Sequence, residues 1–309
     1  MFHIIVNPIA GQGRSLIRLA LLCEHLTNMG LAFEVFETKA PMEGYYKAYS
    51  LKNAYSHGII AIGGDGTVQE IVAGLADAFG GCSPIPIPLA IFACGSGNDF
   101  VMSIEDKKRH AVSKYRKTDD RLAAQAFLDI LLRRDLRRVD MISADGMAFL
   151  NIGNVGLDAR IVRGALKHKK NYGQYSYLAA VYESIAAHEN ISLSIQIDGN
   201  TIQKDCALAA VCNGRYYGGG MPLAPCAEID DGMITFCYVE SLSRPEAMVL
   251  FPTLLFSLHT KIKKVHYIKC TKLNITIPPG ETLCLDGNLY EKSGVVNFEI
   301  MPGALELFV

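Results

Sequence analysis

The stretch AIGGDGTVQE, residues 61–70, decides the fold. It closes the apolar run Gly58-Ile59-Ile60-Ala61-Ile62, so its glycines fall where a buried strand ends. A plain turn needs one or two glycines, whereas here three surround one carboxylate. Glycine opens backbone angles closed to other residues and leaves no Cβ to obstruct a ligand. Gly63 and Gly64 are therefore expected to let something approach the backbone closely. Thr67-Val68-Gln69-Glu70 fits a capping box, with Thr67 capping a helix and Glu70 reaching back. A helix N-terminus facing a glycine loop is an anion site, and phosphate is its usual guest. Asp65 at the lip repels phosphate unless a cation stands between them, which points to hydrated Mg²⁺ and a nucleotide. A tight turn with a merely capping aspartate is the alternative.

Moving outward, His3 to Asn7 is a short apolar run ending at Pro8, and Ala32 to Glu37 and Ile87 to Phe92 read as further strands. Leu16, Leu19, Ala20, Cys23 and Leu26 recur at helical spacing, with Ser15 as N-cap and Gly30 as stop. Val68, Ile71, Val72, Leu75 and Phe79 mark the next helix. Alternating strands and helices imply crossover connections and a parallel sheet. Two more loops then share the carboxyl edge with 63–67. Asn7-Pro8-Ile9-Ala10-Gly11-Gln12-Gly13 follows the first strand, and Cys94-Gly95-Ser96-Gly97-Asn98-Asp99-Phe100 the fourth. Ligands bind at that edge.

After about residue 122 the pattern changes. One more helix carries Leu122, Ala126, Phe127, Ile130 and Leu131. Arg137 to Ser143 and Met147 to Ile152 then flank Asp145-Gly146, and Ser192 to Ile197 and Cys206 to Cys212 flank Asp198-Gly199-Asn200. Asp-Gly between apolar runs signals a hairpin. Met233 to Val239, Val265 to Cys270, Leu273 to Ile277 and Val295 to Ile300 also read as strands. The second half is thus mainly antiparallel β, and Ala304 to Val309 are free to rejoin the first.

The 309 residues suit two domains, and a formal net charge of -1 argues against nucleic acid as a partner. Nine cysteines without paired spacing suggest reduced thiols rather than disulfides or zinc. No signal peptide or long apolar span is evident, so a cytoplasmic protein that visits membrane surfaces is expected. A homodimer is left open. The polar segment 105–121 reads as a solvated helix or loop, or as a membrane-facing patch through Lys107, Lys108, Arg109, Lys114, Arg116 and Lys117. Gly11-x-Gly13 starts a redox dinucleotide fingerprint but meets Leu16 where the third glycine belongs. The sequence has neither a GxxxxGK[ST] loop nor the protein-kinase HRD and DFG set.

GGDGT (63–67), GSGNDF (95–100), FLNIGNVGLDA (149–159), GGGMPLAPCAEIDDG (218–232) and LDGN (285–288) occur together, in this order. In this the chain resembles the diacylglycerol kinase catalytic family, above all its soluble bacterial lipid kinases, relatives of sphingosine and ceramide kinases. The resemblance implies an α/β plus all-β fold. A Rossmann-like domain of phosphofructokinase and NAD-kinase type would cover 1–122, with residues about 300–309 returning to it. A β-sandwich lipid-substrate domain would cover 123–299, with the active site in the cleft. The implied activity is ATP- and Mg²⁺-dependent phosphorylation of a lipid hydroxyl, diacylglycerol to phosphatidic acid. Nucleotide contacts carry over to Asn7, Pro8, Ile9, Ala10, Gly11, Thr38, Gly63, Gly64, Asp65, Gly66, Thr67, Val68, Gln69, Ser96 and Asn98. Asp65 and Asp99 would hold the catalytic Mg²⁺ through water, and Asp286 would be the general base. A second, structural Mg²⁺ would take the Asp231 carboxylate with backbone oxygens of Glu228 and Met233.

Three departures qualify the match. The family's DGE turn reads Asp286-Gly287-Asn288 here, and without the glutamate Asp286 is expected to titrate lower and act less efficiently. Ser96 replaces the usual threonine and keeps the hydroxyl, and Met102 stands where the family often has arginine. The acceptor pocket should be apolar, with Phe149, Leu157, Ile161, Tyr172, Tyr175, Tyr177 and the run Ala247 to Leu258 as candidate linings. Lys167, Lys169, Lys170, Lys261, Lys263 and Lys264 are candidates to meet anionic lipid heads. An NAD kinase, or a catalytically weak nucleotide or lipid sensor, remain as alternatives.

Overall fold

The computed structural model describes the chain except for residues 81–82, 106–118, 158, 162, 165–182, 186 and 188. The basic cluster at 107–117, Tyr172, Tyr175, Tyr177 and Lys167, Lys169 and Lys170 lie outside the described residues.

Four parallel strands build the first half: β1 (Phe2–Val6), β2 (Phe33–Glu37), β3 (Gly58–Gly63) and β4 (Leu89–Ala93). Their spatial order is β2-β1-β3-β4, so the winding reverses beside β1. Both faces are covered, which is why β1 and β3 are continuous apolar runs. Ile4, Val6, Ile60 and Ile62 face α1 (Arg14–Asn28), while Ile5, Ile59 and Ala61 face α3 (Asp65–Ala78). Helix α2 (Glu43–Ser50) packs on α3 and had no clear sequence signal. The fourth strand begins after Pro88, whose missing N–H cannot join a central ladder. Ser15 is not an N-cap: Gly13 caps α1, and the buried Ser15 hydroxyl donates to the Pro8 carbonyl at 3.1 Å.

Among the described residues, helices α4 (Asp99–Glu105) and α5 (Asp120–Arg133) complete this half. The boundary expected between 122 and 123 falls inside α5, whose Phe127 stacks on Phe92 of β4 with ring centroids 4.4 Å apart.

The second half is antiparallel: β5 (Leu136–Ala144), β6 (Met147–Phe149), β7 (Ile152–Gly156), β8 (Ile191–Ile197) and β9 (Asn200–Cys212), with the short pair β10 (Tyr216–Tyr217) and β11 (Met221–Pro222). Then come β12 (Ile234–Glu240), helix α6 (Arg244–Leu254), β13 (Val265–Cys270), β14 (Lys272–Ile277), β15 (Thr282–Leu285), β16 (Asn288–Glu291) and β17 (Gly294–Phe308). Alternate residues of β8 (Ile191, Leu193, Ile195, Ile197) enter one core with Phe149, Phe236 and Phe298. The expected strand Met147 to Ile152 is split. Its first part pairs with β5, its second with β9 and β15, and the chain bends at Leu150-Asn151.

Strand β17 joins the two halves. It pairs antiparallel with β14 and β5, then meets β4 in parallel at Leu307 and Leu89. Its register shifts between Met301 and Leu305, where the Gly303 N–H donates to Asp140 at 2.7 Å.

Candidate functional site

The loops after β1, β3 and β4 lie against one another at the carboxyl edge. A Cβ on Gly11 would sit 2.4 Å from the Cys94 carbonyl oxygen, and one on Gly95 would sit 2.5 Å from the Gly64 Cα. Those glycines therefore let backbone pass backbone. The glycines of 63–67 do not work as the sequence suggested. None of the three has positive φ, and Gly64 is extended at φ −101°. A Cβ on Gly63 would meet Thr67 at 2.6 Å, and one on Gly66 would meet Asn288 Oδ1 at 3.0 Å. Neighbouring protein fills the space that the sequence reading gave to a ligand.

The helix start is also corrected. Gly64, not Thr67, is the N-cap of α3, and Asp65 is its first residue. Glu70 does not reach back; its carboxylate accepts N–H groups of Met42 (2.9 Å) and Gly44 (3.2 Å). Thr67 Oγ1 accepts from Asn7 Nδ2 at 3.3 Å, linking the first and second loops. The first-turn N–H groups of a helix have no intrahelical acceptor, so the N-terminus of α3 still presents donors to the rim.

Two carboxylates converge there. A Cβ on Gly97 would lie 2.8 Å from Asp65 Oδ2 and 2.9 Å from Asp99 Oδ2, so both oxygens face one point above this glycine. Asp65 is held by the N–H groups of Asn98 (2.7 Å) and Phe100 (3.3 Å). Desolvation pushes its carboxyl above the usual range, against those hydrogen bonds. Asp99 accepts from the Gly219 and Gly220 N–H groups, the latter at 2.7 Å. Gly218, Gly219 and Gly220 have φ of 58°, 92° and 104°, a left-handed run that only glycine adopts freely and that turns successive N–H groups toward one anion. The GGG motif thus has a visible task that sequence reading did not assign.

The third carboxylate is Asp286, at the tip of the β15–β16 hairpin. It accepts N–H groups of Leu150 (2.8 Å), Asn151 (3.0 Å) and Ile152 (2.8 Å), all from the bend that splits the predicted strand. The expectation of a lowered pKa is overturned: desolvation, aided by the Asp65 charge, outweighs the three hydrogen bonds and pushes Asp286 up to about 7. Asn288 donates to Gln69 Oε1 (2.7 Å) and the Gly66 carbonyl (3.3 Å), and Tyr290 also donates to Gln69 Oε1 (3.2 Å).

Several sequence-predicted contacts are engaged elsewhere. The Gln69 amide donates to the Ala148 carbonyl at 3.3 Å, so its side chain bridges the halves. Val68 is core. The Asn98 side chain both donates to and accepts from the Gly95 backbone and shapes its own loop. Thr38 Oγ1 donates to the Val6 carbonyl at 3.3 Å, and the Asn7 side chain also accepts from the Ile9 N–H at 3.2 Å. Ser96 and Ile9 are exposed, and Pro8, Ala10 and Gly11 border the same rim.

The arrangement at Asp65 and Asp99 fits a hydrated Mg²⁺. Among the described residues no three His, Cys, Asp or Glu side chains gather to hold a metal, and Mg²⁺ needs few carboxylates when water or phosphate completes its shell. The turn at 228–233 does not fit one. Asp231 Oδ1 accepts the Met233 N–H at 3.0 Å, and its other oxygen pairs with the Lys269 ammonium. The turn is further tied by Gly232 N–H to Asp140 (2.7 Å) and by Arg137 to Asp230 (2.6 Å). A lysine already answers the carboxylate that was expected to hold structural Mg²⁺.

Under α6 lies a small apolar cavity of about 40 Å³, lined by Leu157, Ile161, Leu208, Leu223, Leu250 and Phe251 among others. Of the expected linings, Phe149 is instead buried in the core between the sheets. No described helix is long and apolar enough to cross a membrane.

A parallel sheet with three glycine loops, joined to a β-sandwich that delivers a third carboxylate, is the class of scaffold suited to phosphoryl transfer. Residues 1–144 match the diacylglycerol kinase catalytic domain, and residues 152–309 match the YegS C-terminal NAD kinase beta sandwich-like domain. The chain belongs to this bacterial lipid kinase family. It is 25% identical over 286 residues to a diacylglycerol kinase of Staphylococcus aureus, covering 92% of this chain and 85% of that one. A protein of Shewanella frigidimarina described as a YegS-like lipid kinase is 25% identical over 249 residues, 80% of this chain and 75% of that one. A crystal structure of a Bacillus anthracis protein described as a diacylglycerol kinase shares the fold at a TM-score of 0.67 and 21% identity, covering 99% of this chain and 96% of that one.

Proposed function

We propose that the protein transfers the γ-phosphate of Mg²⁺-ATP to the hydroxyl of a lipid, with diacylglycerol as acceptor. The observation that carries the reading is the meeting of Asp65, Asp99 and Asp286 at one junction between the halves. Phosphoryl transfer asks mainly for positioning and charge neutralisation. The N–H groups at the start of α3 and the loops at 7–13 and 95–98 cradle the polyphosphate. Asp65 and Asp99 hold the cation, which offsets charge on the transferred group. Asp286 takes the acceptor hydroxyl's proton, and a carboxylate with a pKa of about 7 is suited to do so near neutral pH. Its three N–H partners fix its direction. The acyl chains enter the apolar region beneath α6, which must widen to admit them.

The test offers labelled Mg²⁺-ATP with diacylglycerol in mixed micelles and, separately, with NAD. Label in lipid, lost on Asp286→Asn, supports the reading. Label in NAD alone, or bound ATP with no transfer to any lipid hydroxyl, would overturn it.

A further inference from the structure

Helix α6 is apolar on both sides. Ala247, Leu250, Phe251 and Leu254 face inward to the cavity. On the outward side two large apolar residues of the helix, Met248 and Val249, are followed by three more just past its end. Met248 is 54% exposed, Val249 72%, Leu255 54%, Phe256 74% and Leu258 49%. Single exposed apolar residues are ordinary, but five large ones on one helix and its following turn form a patch. Past its first turn, which carries exposed Arg244 and Glu246, α6 is apolar outward as well as inward, and such a surface belongs in a core or in lipid. At 11 residues α6 is far too short to span a bilayer, so the fitting place is the interface plane.

The charges around the patch select the occupant. Residues 243–264 carry four basic side chains, Arg244, Lys261, Lys263 and Lys264, against one acid, Glu246. Glu246 is taken up by the Ser243 cap and by Lys264 at 2.6 Å. Arg244, Lys261 and Lys263 are exposed and bracket the patch along the chain. A two-fold contact with a second copy would set these positive charges together, whereas an anionic lipid surface complements them.

We propose that α6 and the turn after it are the face by which the protein docks on an anionic bilayer. Met248, Val249, Leu255, Phe256 and Leu258 enter the acyl boundary, and Arg244, Lys261 and Lys263 meet headgroups. Only the purpose of docking rests on the lipid-kinase reading: the cavity lies directly under this helix, so a docked α6 is the wall between acceptor lipid and site.

The experiment measures co-sedimentation of the full chain with phosphatidylcholine vesicles, with and without phosphatidylglycerol. Wild type binds the anionic vesicles, and added salt weakens binding. Val249→Asp with Phe256→Asp lowers the bound fraction about tenfold or more. Lys261→Glu with Lys263→Glu, which leaves the apolar side chains in place, removes the preference for phosphatidylglycerol. Both variants keep the wild-type circular dichroism spectrum and a cooperative thermal transition, so a loss of vesicle binding is not a loss of fold. Undiminished vesicle binding by both variants overturns the proposal, as does a dimer by sedimentation velocity that the aspartates split while vesicle binding persists. Failure of wild type to phosphorylate any lipid defeats the functional reading alone, because vesicle binding is scored without ATP.

Discussion

Asn288 Nδ2 donates to Gln69 Oε1 at 2.7 Å, joining the β15–β16 hairpin of the second half to helix α3 of the first. The same amide donates to the Gly66 carbonyl, inside the loop that presents Asp65. The residue that departs from the family pattern is thus part of the closure of the site. A glutamate cannot donate either bond. Asn288→Glu would set a carboxylate against two acceptor oxygens and add charge beside Asp65 and Asp286. We expect it to lower stability by about 1–3 kcal/mol, the range for a buried polar group left without its partner. Thermal unfolding of Asn288→Glu and Gln69→Ala, singly and combined, checks this, and strong non-additivity is the expected result.

Asp286→Asn should lower turnover by about 10²–10⁴-fold while ATP affinity changes little, because a general base contributes to the transition state. Calorimetric ATP titration beside a steady-state assay separates the two effects.

The pH profile follows from the raised Asp286 pKa. The base must be ionised, so turnover falls as pH drops below about 7. Stability runs the other way. The folded-state pKa lies above the unfolded value, so protonated Asp286 contributes stability at low pH that is lost as pH rises through about 7. Urea unfolding of wild type and Asp286→Asn across pH 5 to 8, about the interval over which this carboxyl titrates, should show the slope in wild type alone.

Gly64→Ala and Gly95→Ala press a Cβ to 3.0 Å and 2.5 Å from the neighbouring loop's backbone, which no side-chain rotation relieves. Each should cost about 1–3 kcal/mol. Each should also weaken ATP binding more than Gly13→Ala, where a Cβ meets open space and the cost is only that of a left-handed φ of 88°.

At the 228–233 turn, wild-type melting temperature should not respond to EDTA, because Lys269 supplies the positive charge beside Asp231. Lys269→Met should lose about 1 kcal/mol or less, as expected for a partly exposed pair. Recovery of that loss by added Mg²⁺ would mean that the lysine stands where a cation can.

The sequence disclosed the features that repeat or that sit in fixed motifs. Continuous apolar runs in β1 and β3, Asp-Gly hairpins and the five motifs pointed to the glycine loops and to all three carboxylates. It hid what depends on distant partners. Nothing local to Leu150-Asn151 marks a bend, because its N–H groups are satisfied by Asp286, 135 residues further on for Asn151. Thr67-x-x-Glu70 reads as a capping box until α2 arrives with its own unpaired N–H groups. The Gly63 and Gly64 reading failed for the same reason: the missing Cβ atoms make room for Thr67 and for the Gly95 backbone, not for a ligand.

The long strand β17 has a mechanical consequence. One continuous backbone belongs to both halves, and its single irregularity, at Met301–Leu305, is pinned by the Asp140–Gly303 hydrogen bond. The halves are therefore strapped together along one side. Any opening of the mouth between them would have to break the Asn288–Gln69 and Gln69–Ala148 hydrogen bonds while this shared strand kept both halves attached.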